Sequence, residues 1–288
     1  MNTQKQDHGT GHLVQFATAD MKFIDGVRRS EGRAQNFSVE SIETEKDGLS
    51  VSHASEFESF VLFPFVGATI STAHGHAKAL ANSAVILPIG QAELRLDAPG
   101  TCYVLTPLDP EGDEHALNRA IYARRNSAVA PIGPLHRRLN DDRSVRVYEI
   151  DKVQASATRP RLKMLQSTAL SINWIEYTGP RDRTTLSPHS HTDFEQGSLA
   201  IRGDFIHHLR AEWGSNADEW LNDSHLPAPS PSLMVIPPTI IHTTEGVGPG
   251  KHLLIDVFCP PRRDFIESGW VANSSEYEAP YGAARSAS

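Results

Sequence analysis

Cysteine is scarce in this sequence of 288 residues. There are two, Cys102 and Cys259, which lie far apart and form no Cys-X-X-Cys pattern. This spacing argues against a thiolate metal site or a disulfide framework, and it is typical of a protein kept in a reducing compartment. The first residues are polar and lack the apolar core of a signal peptide, so we expect a cytoplasmic protein.

Basic runs and long apolar runs are also missing. Lys and Arg total 27 against 35 Asp and Glu, a formal net charge of −8, and no cluster rich in Lys and Arg interrupts this acidic balance. We therefore expect neither nucleic acid nor a membrane surface as a partner. Nowhere do 18 apolar residues follow one another, so we predict no membrane-spanning segment.

Helical periodicity is the third scarce feature. Asp113–Arg125 is the best helix candidate, and Ala217–Asn222 is long enough for one turn. Short apolar runs rich in β-branched and aromatic residues recur instead, separated by turn dipeptides, and this pattern predicts a β-sandwich or β-barrel. The runs that we predict as strands are Phe60–Ile70, Ser83–Pro88, Thr101–Thr106, Ser144–Ile150, Leu170–Tyr177, Leu233–Pro237 and Leu253–Phe258.

A faint internal repeat organises these strands. Ser83–Pro88 reads SAVILP and Ser232–Pro237 reads SLMVIP, 149 residues further on, or about half the chain. Two copies of one β unit would explain the length, and the polar stretch Asp151–Pro160 is the expected join. We therefore predict an N-terminal extension over 1–36, a first barrel over 37–160, a second barrel over 161–277 and a flexible tail over 278–288.

The strongest chemical signal lies in the second half, in the stretch SPHSHTDFEQG that begins at Ser187. On a strand, His189, His191 and Glu195 have the same parity and face one side of a sheet. On a helix the same positions would not converge. Two imidazoles and a carboxylate form half of a shell for a divalent metal, and His242, which ends an apolar run at a Pro-rich bend, is the candidate for the fourth ligand.

These motifs resemble those of the cupin superfamily. Its first motif reads G(X)5HXH(X)3–4E(X)6G, and His189-X-His191-(X)3-Glu195 fits it, with Gly203 one residue later than the pattern asks. No glycine stands six residues before His189. The departures concern turn geometry, because none of the missing residues is a metal ligand.

The second cupin motif, G(X)5PXG(X)2H(X)3N, fits around His242. Pro237 precedes His242 by five residues, as the motif requires, whereas Thr239 replaces the motif glycine and Gly246 replaces the final Asn. The stretch LIDVFCPPRRDF after it also looks like the strand and exit turn of small bacterial cupins. The resemblance covers about residues 165–275.

The resemblance implies an all-β fold with two cupin-type barrels, of the double-stranded β-helix or jelly-roll kind, in one chain. It implies one divalent transition metal (Fe, Mn, Ni or Zn) held by His189, His191, Glu195 and His242. It also implies a small-molecule substrate and a homodimer. The activity that we expect first is that of a dioxygenase-type enzyme acting on a small oxygenated organic acid or a diketone. The alternatives are a metal-dependent isomerase or lyase acting on a sugar-like acid, and a non-catalytic binder of small molecules.

The first half does not repeat the metal motif. The internal repeat places Glu93 where His242 stands, and His74-Gly-His76 lies too close to Pro88 to match the spacing of the second half. We therefore predict that the first barrel holds no metal and that His74 and His76 are loop residues.

Four residues near the motif are candidates for a catalytic role. Asp193 has the parity of the ligands, and it either orients a histidine or lies on the rim. His207 and His208 are neighbours of opposite parity, so only one of them faces the barrel interior. Arg183, together with Arg181, either binds a substrate carboxylate or forms a surface salt bridge.

Overall fold

The computed structural model describes residues 10–16, 22–108, 115–140, 142–156 and 159–278. Its regular structure is almost entirely antiparallel β-sheet, so the predicted all-β class is confirmed. Residues 1–9 of the predicted N-terminal extension and residues 279–288 of the predicted tail lie outside the described residues.

Within these described ranges, the first half contributes twelve strands. They are β1 (His12–Gln15), β2 (Val27–Arg33), β3 (Phe37–Thr44), β4 (Ser50–Ser55), β5 (Ser59–Phe63), β6 (Ala68–Thr72), β7 (Gly75–Ala79), β8 (Ser83–Leu87), β9 (Gly90–Leu96), β10 (Gly100–Pro107), β11 (Arg137–Arg138) and β12 (Arg146–Glu149).

The second half contributes nine strands and one short α-helix. The strands are β13 (Lys163–Gln166), β14 (Ser171–Thr178), β15 (Gln196–Arg202), β16 (Asp204–Arg210), β17 (Ser224–Pro229), β18 (Ser232–Ile236), β19 (Ile241–Val247), β20 (Lys251–Phe258) and β21 (Tyr277–Glu278). The helix α1 is Arg263–Glu267, and four 3-10 turns cover Arg119–Ala123, Ile150–Lys152, Ala217–Glu219 and Ser274–Glu276.

The two halves repeat one topology. A six-stranded sheet of order β12-β8-β5-β10-β3-β2 in the first half corresponds to β1-β18-β15-β20-β14-β13 in the second. In a smaller sheet of order β7-β6-β9-β4, the first three strands correspond to β17-β16-β19 of the second half. Strands β8 and β18 contain the repeated sequence found above, and all five residues of each are buried. The half-length repeat is therefore a repeat of the fold.

The edge strand of the second large sheet comes from the other end of the chain. β1 pairs with β18 from His12↔Val235 to Gln15↔Ser232, in the place that β12 occupies beside β8. The segment predicted as an N-terminal extension thus completes the second barrel with β1 and the first barrel with β2. The other end of the chain also crosses over, because β21 pairs with β11.

The seven runs predicted as strands all contain strands. Phe60–Ile70 holds two of them, because Pro64 follows the last residue of β5 and a proline has no N–H for the ladder. The helix predicted over Asp113–Arg125 is wrong: its described part forms only the 3-10 turn Arg119–Ala123. The N–H of Leu117 donates to the carbonyl of Glu31 at 2.8 Å, so the segment is bonded to β2 instead of to its own preceding turn.

Two hydrophobic cores explain how the barrels are filled. Buried side chains of both six-stranded sheets, among them Phe37, Phe60, Trp174 and Leu233, form one cluster that joins the barrels. A second cluster of aliphatic side chains with Phe63 and Cys102 fills the first barrel. The second barrel has only three small clusters, which leaves room for polar side chains. Among the described residues, no helix has the length and apolar composition needed to cross a membrane.

Candidate metal centre

Three imidazoles meet in the second barrel. His242 is the second residue of β19, and His189 lies on the loop before β15 in an isolated bridge with it. The N–H of each of these two residues donates to the carbonyl of the other, at 2.8 and 3.0 Å. The carbonyl of His191 accepts from Thr239 at 2.6 Å. One ring nitrogen from each histidine lies within 4.8 Å of the other two, so the three predicted histidines do converge.

The fourth polar group at this centre is the side-chain amide of Gln196. Its Oε1 lies 2.8 Å from Nε2 of His191 and 3.1 Å from Nε2 of His242. Gln196 is the first residue of β15 and is 3% exposed, so its side chain is fixed by the sheet. Sequence reasoning missed this residue, although the (X)3–4 spacing of the first cupin motif covers both positions 195 and 196.

The structure does not bring Glu195 to the three histidines, which corrects the predicted ligand set. One carboxylate oxygen accepts from the backbone N–H of Gln35 at 2.6 Å, and the other accepts from the hydroxyl of Tyr122 at 3.0 Å. The parity argument assumed one continuous strand from 189 to 195, but the strand begins only at Gln196. Neighbouring residues at a strand start face opposite ways, so Glu195 faces the first barrel and Gln196 faces the imidazoles.

Two acceptors hold the amide of Gln196 in this orientation. Its Nε2 donates to Oδ1 of Asp256 at 3.1 Å and to Oγ of Ser198 at 3.2 Å, and Oγ of Ser198 in turn donates to Asp256 at 3.0 Å. Because the amide nitrogen is committed to these groups, the amide oxygen points at the histidines. Such outer contacts set the orientation of metal ligands in known metal sites.

The protonation states suit a cation. Burial lowers the pKa of His191 to about 3 and that of His242 to about 4, so both rings are neutral at pH 7. Nδ1 of His242 lies 2.9 Å from the carbonyl of Ile240, and Nδ1 of His189 lies 2.9 Å from that of Ser187. Since a carbonyl only accepts, both Nδ1 atoms carry a proton, and Nε2 of the neutral His242 presents a lone pair.

The donor set therefore fits a divalent transition metal. Nε2 of His242 and Oε1 of Gln196 face each other at 3.1 Å with no proton between them, which is unfavourable unless a cation is shared. Two ligands at right angles on an ion about 2.1 Å away would be about 3 Å apart. His191 differs, because Arg262 lies 3.4 Å from its Nδ1, and its Nε2 proton is therefore the one that a metal would displace.

A cavity of about 450 Å³ opens beside the histidines. Four arginines line it, Arg159, Arg161, Arg181 and Arg262, whereas among the residues that the structure describes only Asp256 contributes a carboxylate to its wall. These arginines come from three separate segments, so no spacing in the sequence groups them, and of the four only Arg181 was a candidate. The surplus of positive charge indicates an anionic ligand.

Aromatic rings surround the innermost of these arginines. The guanidinium carbon of Arg262 lies 4.0 Å from the ring centre of Phe265 and 5.3 Å from that of Phe258. Its Nε donates to Asp264 at 2.8 Å. Arg181 is held differently, by a 3.1 Å hydrogen bond from Nη1 to the carbonyl of Thr244. Both guanidinium groups are therefore placed before any ligand arrives.

The four candidates for a catalytic role do not line this cavity. Asp193 is exposed, and its backbone carbonyl accepts from Ala130 at 2.7 Å. His207 is fully buried on the inner face of β16, with Nδ1 3.0 Å from Oγ1 of Thr244. His208 lies on the opposite face of the same strand, as its parity requires, and Arg183 pairs with Glu245 at 3.3 Å outside the cavity.

The other predicted histidines lie far from the centre. His74 and His76 are exposed at the hairpin that joins β6 and β7, where Nδ1 of His76 lies 2.9 Å from Oγ of Ser71. His74 is a loop residue as predicted, whereas His76 is the second residue of β7. In the first barrel, the cluster of aliphatic side chains with Phe63 and Cys102 fills the interior, at the place where the second barrel has its polar centre.

Thr239 carries the backbone strain of the site. Its φ is +68°, the left-handed region where the second cupin motif has glycine. A β-branched residue is unfavourable there. The conformation is held by the 2.6 Å hydrogen bond from Thr239 to the carbonyl of His191, so the strain coincides with the placement of a candidate ligand.

Two equivalent barrels in one chain, one of them with three histidines and a glutamine around its interior, define a bicupin fold. No family model matches the sequence, and no curated protein matches it. Among solved structures, the fold is similar to a Lactobacillus farciminis oxalate decarboxylase in complex with formate, with a TM-score of 0.60 and 13% identity over 91% of this chain and 92% of that chain.

Bacillus subtilis oxalate decarboxylase is similar as well. A structure used to study its Mn(II) centres aligns with a TM-score of 0.57 and 10% identity, over 90% of this chain and 80% of that one. A variant of the same enzyme aligns with a TM-score of 0.58 and 11% identity over the same shares. At these identities the likeness concerns the fold, and the bicupin architecture predicted from the motifs is confirmed.

Proposed function

We propose that this chain is a metal-dependent enzyme that acts on a small organic acid. In this proposal the second barrel holds one divalent transition metal on His189, His191, His242 and Gln196. One observation carries it: three imidazoles and an amide oxygen converge beside a cavity that four arginines line. When bound, the ion would polarise a carboxylate or carbonyl of the substrate and, if it is redox-active, support oxidative chemistry with dioxygen.

The charge of the site favours an acid as substrate. Imidazole and amide groups carry no charge when they bind a metal, so the full charge of a divalent ion would stay in the cavity, in addition to that of the arginines. A guanidinium forms two parallel hydrogen bonds with a carboxylate, which fixes the position as well as the charge of the ligand. Arg181 and Arg262 flank the histidines, and we assign them the binding of the substrate carboxylate.

The walls of the cavity would select for a small ligand and limit the entry of water. Phe258 and Phe265 cover one side beside Arg262, and Ile175 and Leu254 add aliphatic surface. A volume of about 450 Å³ is at the small end of ligand cavities. A substrate with one or two carboxylates and a short carbon chain fits these dimensions.

Two reaction types are compatible with this site. The first candidate is a dioxygenase-type reaction on a small oxygenated organic acid or a diketone, which requires a redox-active metal. The second is an oxygen-independent lyase or isomerase reaction. The second is favoured by the similar solved structures, which are oxalate decarboxylases. Both use the same ligands and the same arginines.

Turnover with and without oxygen separates the two reactions. The protein, loaded in turn with Fe(II), Mn(II), Ni(II) and Zn(II), is incubated with a panel of small mono- and dicarboxylic acids in air and under nitrogen. Oxygen uptake with an oxidised product indicates the dioxygenase, and equal turnover under nitrogen indicates the lyase or isomerase. Saturable binding without any product would contradict the proposal of an enzyme and would indicate a binding protein instead.

Two arginines that are two residues apart provide the matched control for the substrate class. Arg181→Gln should raise KM for the acid at least roughly tenfold, because about 1.4 kcal/mol is lost with one charge-assisted contact. Arg183→Gln should leave KM unchanged, since Arg183 pairs with Glu245 outside the cavity. Equal effects of the two substitutions would contradict carboxylate binding by Arg181.

A further inference from the structure

A pair of histidines, separate from the three of the candidate metal centre, lies on the outer surface of the smaller sheet of the second barrel. β16 and β17 pair so that His208 stands directly opposite His225. Their Nδ1 atoms are 2.8 Å apart, and the ring planes are inclined by 69°. His207, the neighbour of His208, faces the barrel interior, so this pair and the candidate metal centre lie on opposite faces of one sheet.

The carboxylate of Glu245 determines which ring nitrogen of His208 carries a proton. Oε2 of Glu245 lies 2.9 Å from Nε2 of His208, and Glu245 is 5% exposed. Because an ionised carboxylate only accepts, Nε2 of His208 carries its proton and Nδ1 presents a lone pair. Arg183 pairs with the other oxygen of Glu245 at 3.3 Å, which holds that carboxylate in place.

Two nitrogen lone pairs would repel each other at this distance. The short contact between the two Nδ1 atoms therefore requires one positive group, a proton or a metal ion, between them. In the metal-free pair, that group is the proton on Nδ1 of His225. A metal ion would replace it after the proton moves to Nε2 of His225, which is exposed to solvent. Ligand nitrogens on a tetrahedral ion at about 2.1 Å are about 3.4 Å apart, so the rings need to separate by only about half an ångström.

We propose that His208 and His225 form a second site for a divalent transition metal, with Glu245 as the group that orients His208. Two imidazoles select Cu(II), Ni(II) or Zn(II) over the hard cations. A carboxylate that accepts from the second nitrogen of a ligating histidine is the usual support of such sites. His225 is exposed, so water completes the coordination from the solvent side.

The surroundings of the pair are compatible with a cation. Next to His225, Asp223 is bound by Arg210 through contacts of 2.9 and 3.1 Å. The hydrogen bond and the charge of Arg210 lower the pKa of Asp223, which therefore stays ionised beside the pair. Glu245 and Asp223 thus offset the charges of Arg183 and Arg210 around the two rings.

Titration of the metal-free protein with Cu(II) tests the proposal, with bound metal counted after gel filtration and followed by electron paramagnetic resonance. The wild-type protein should bind two ions per chain, one of which is lost in His225→Ala and the other in His242→Ala. Glu245→Gln should weaken the outer site roughly 10- to 100-fold and leave the inner one unchanged. His76→Ala, an exposed histidine on the first barrel, is the control and should change neither step.

The outcomes distinguish this proposal from the proposed function. If His225→Ala binds as much Cu(II) as the wild type, with the same nitrogen hyperfine pattern, the outer site is refuted and the pair only shares a proton. If His242→Ala has no effect but His225→Ala removes an ion, the outer site stands and the inner centre fails. His208→Ala should reproduce the loss seen in His225→Ala.

Discussion

The side-chain amide of Gln196 donates to the carboxylate of Asp256, with Nε2 3.1 Å from Oδ1. This contact connects the first residue of β15 with the middle of β20, strands that are neighbours in the large sheet of the second barrel. It turns the amide oxygen toward His191 and His242. The amide of Gln196, in the position of the glutamate of the cupin motif, thus has the carboxylate of Asp256 as its acceptor. A glutamate at this position would be repelled by that carboxylate.

The first prediction concerns the fourth ligand. Gln196→Ala should lower the affinity for a divalent metal roughly 10- to 100-fold, because one donor is lost and the histidines lose their neighbour. Glu195→Gln should leave the affinity nearly unchanged, since Glu195 contacts Gln35 and Tyr122. Isothermal titration with Zn(II) or Mn(II) measures both, and the reverse order of effects would restore Glu195 as a ligand.

The second prediction concerns the strain at Thr239. Thr239→Gly should raise the free energy of unfolding by about 1 kcal/mol, because glycine has no penalty at a φ of +68°. Thr178→Gly, at the end of β14 with a φ outside the positive range, should lower it by up to about 1 kcal/mol. Urea denaturation measures both values. A loss of stability in Thr239→Gly would mean that the threonine side chain stabilises the bend.

The third prediction concerns acid. Burial, assisted by Arg29, lowers the pKa of His53 to about 4. The folded state therefore binds fewer protons than the unfolded state between about pH 6.5 and pH 4. Stability from this group is complete above pH 6.5 and is lost as the pH falls to 4, by up to about 3 kcal/mol.

Replacement of His53 tests this dependence directly. His53→Gln should remove about that much of the acid sensitivity between pH 7 and pH 4.5, as measured from urea midpoints. His76→Gln is the control, because His76 is exposed in the same barrel. Parallel pH profiles of the wild type and His53→Gln would argue against this assignment.

The fourth prediction concerns the strand that crosses from the N-terminal segment to the second barrel. Phe16 is 2% exposed in the shared core, and its N–H donates to Pro231 at 3.2 Å. Phe16→Ala should cost about 3–5 kcal/mol. Gln15→Ala, at the exposed neighbour, should change stability by less than about 0.5 kcal/mol. Differential scanning calorimetry should show the whole chain, not the first barrel alone, melting earlier in Phe16→Ala.

The fifth prediction is the homodimer expected from the resemblance to cupins. Paired barrels hide the edges of their sheets, which would otherwise be open to aggregation. Sedimentation velocity at micromolar concentration should give twice the mass of the chain. A strict monomer would remove this prediction and leave the fold unchanged.

Part of this structure could be predicted from local pattern. The apolar run of β8 and its repeat in β18 indicated the all-β fold class and the two barrels, because strand periodicity and burial are properties of short segments. The three histidines were found for the same reason, since His189 and His191 are two residues apart and His242 follows a Pro-rich bend.

Other features depend on where segments start and on contacts across the chain. The assignment of Glu195 failed because the parity argument assumed a strand running from 189 to 195, whereas β15 begins only at Gln196, so Glu195 faces away from the histidines. The arginines of the cavity come from distant segments, and β1 is a short strand whose partner β18 is more than 200 residues away. No local pattern identifies such partners.

The pairing of His12 with Val235 has a consequence for how the chain reaches its native state. The residues of β1 leave the ribosome well before their partner strand β18, which follows them by more than 200 residues. Until then the first barrel can close with its own β12, while the second has no edge strand. Contacts of such long sequence separation slow folding, so the second barrel is expected to be the last part of the molecule to become resistant to proteases during synthesis.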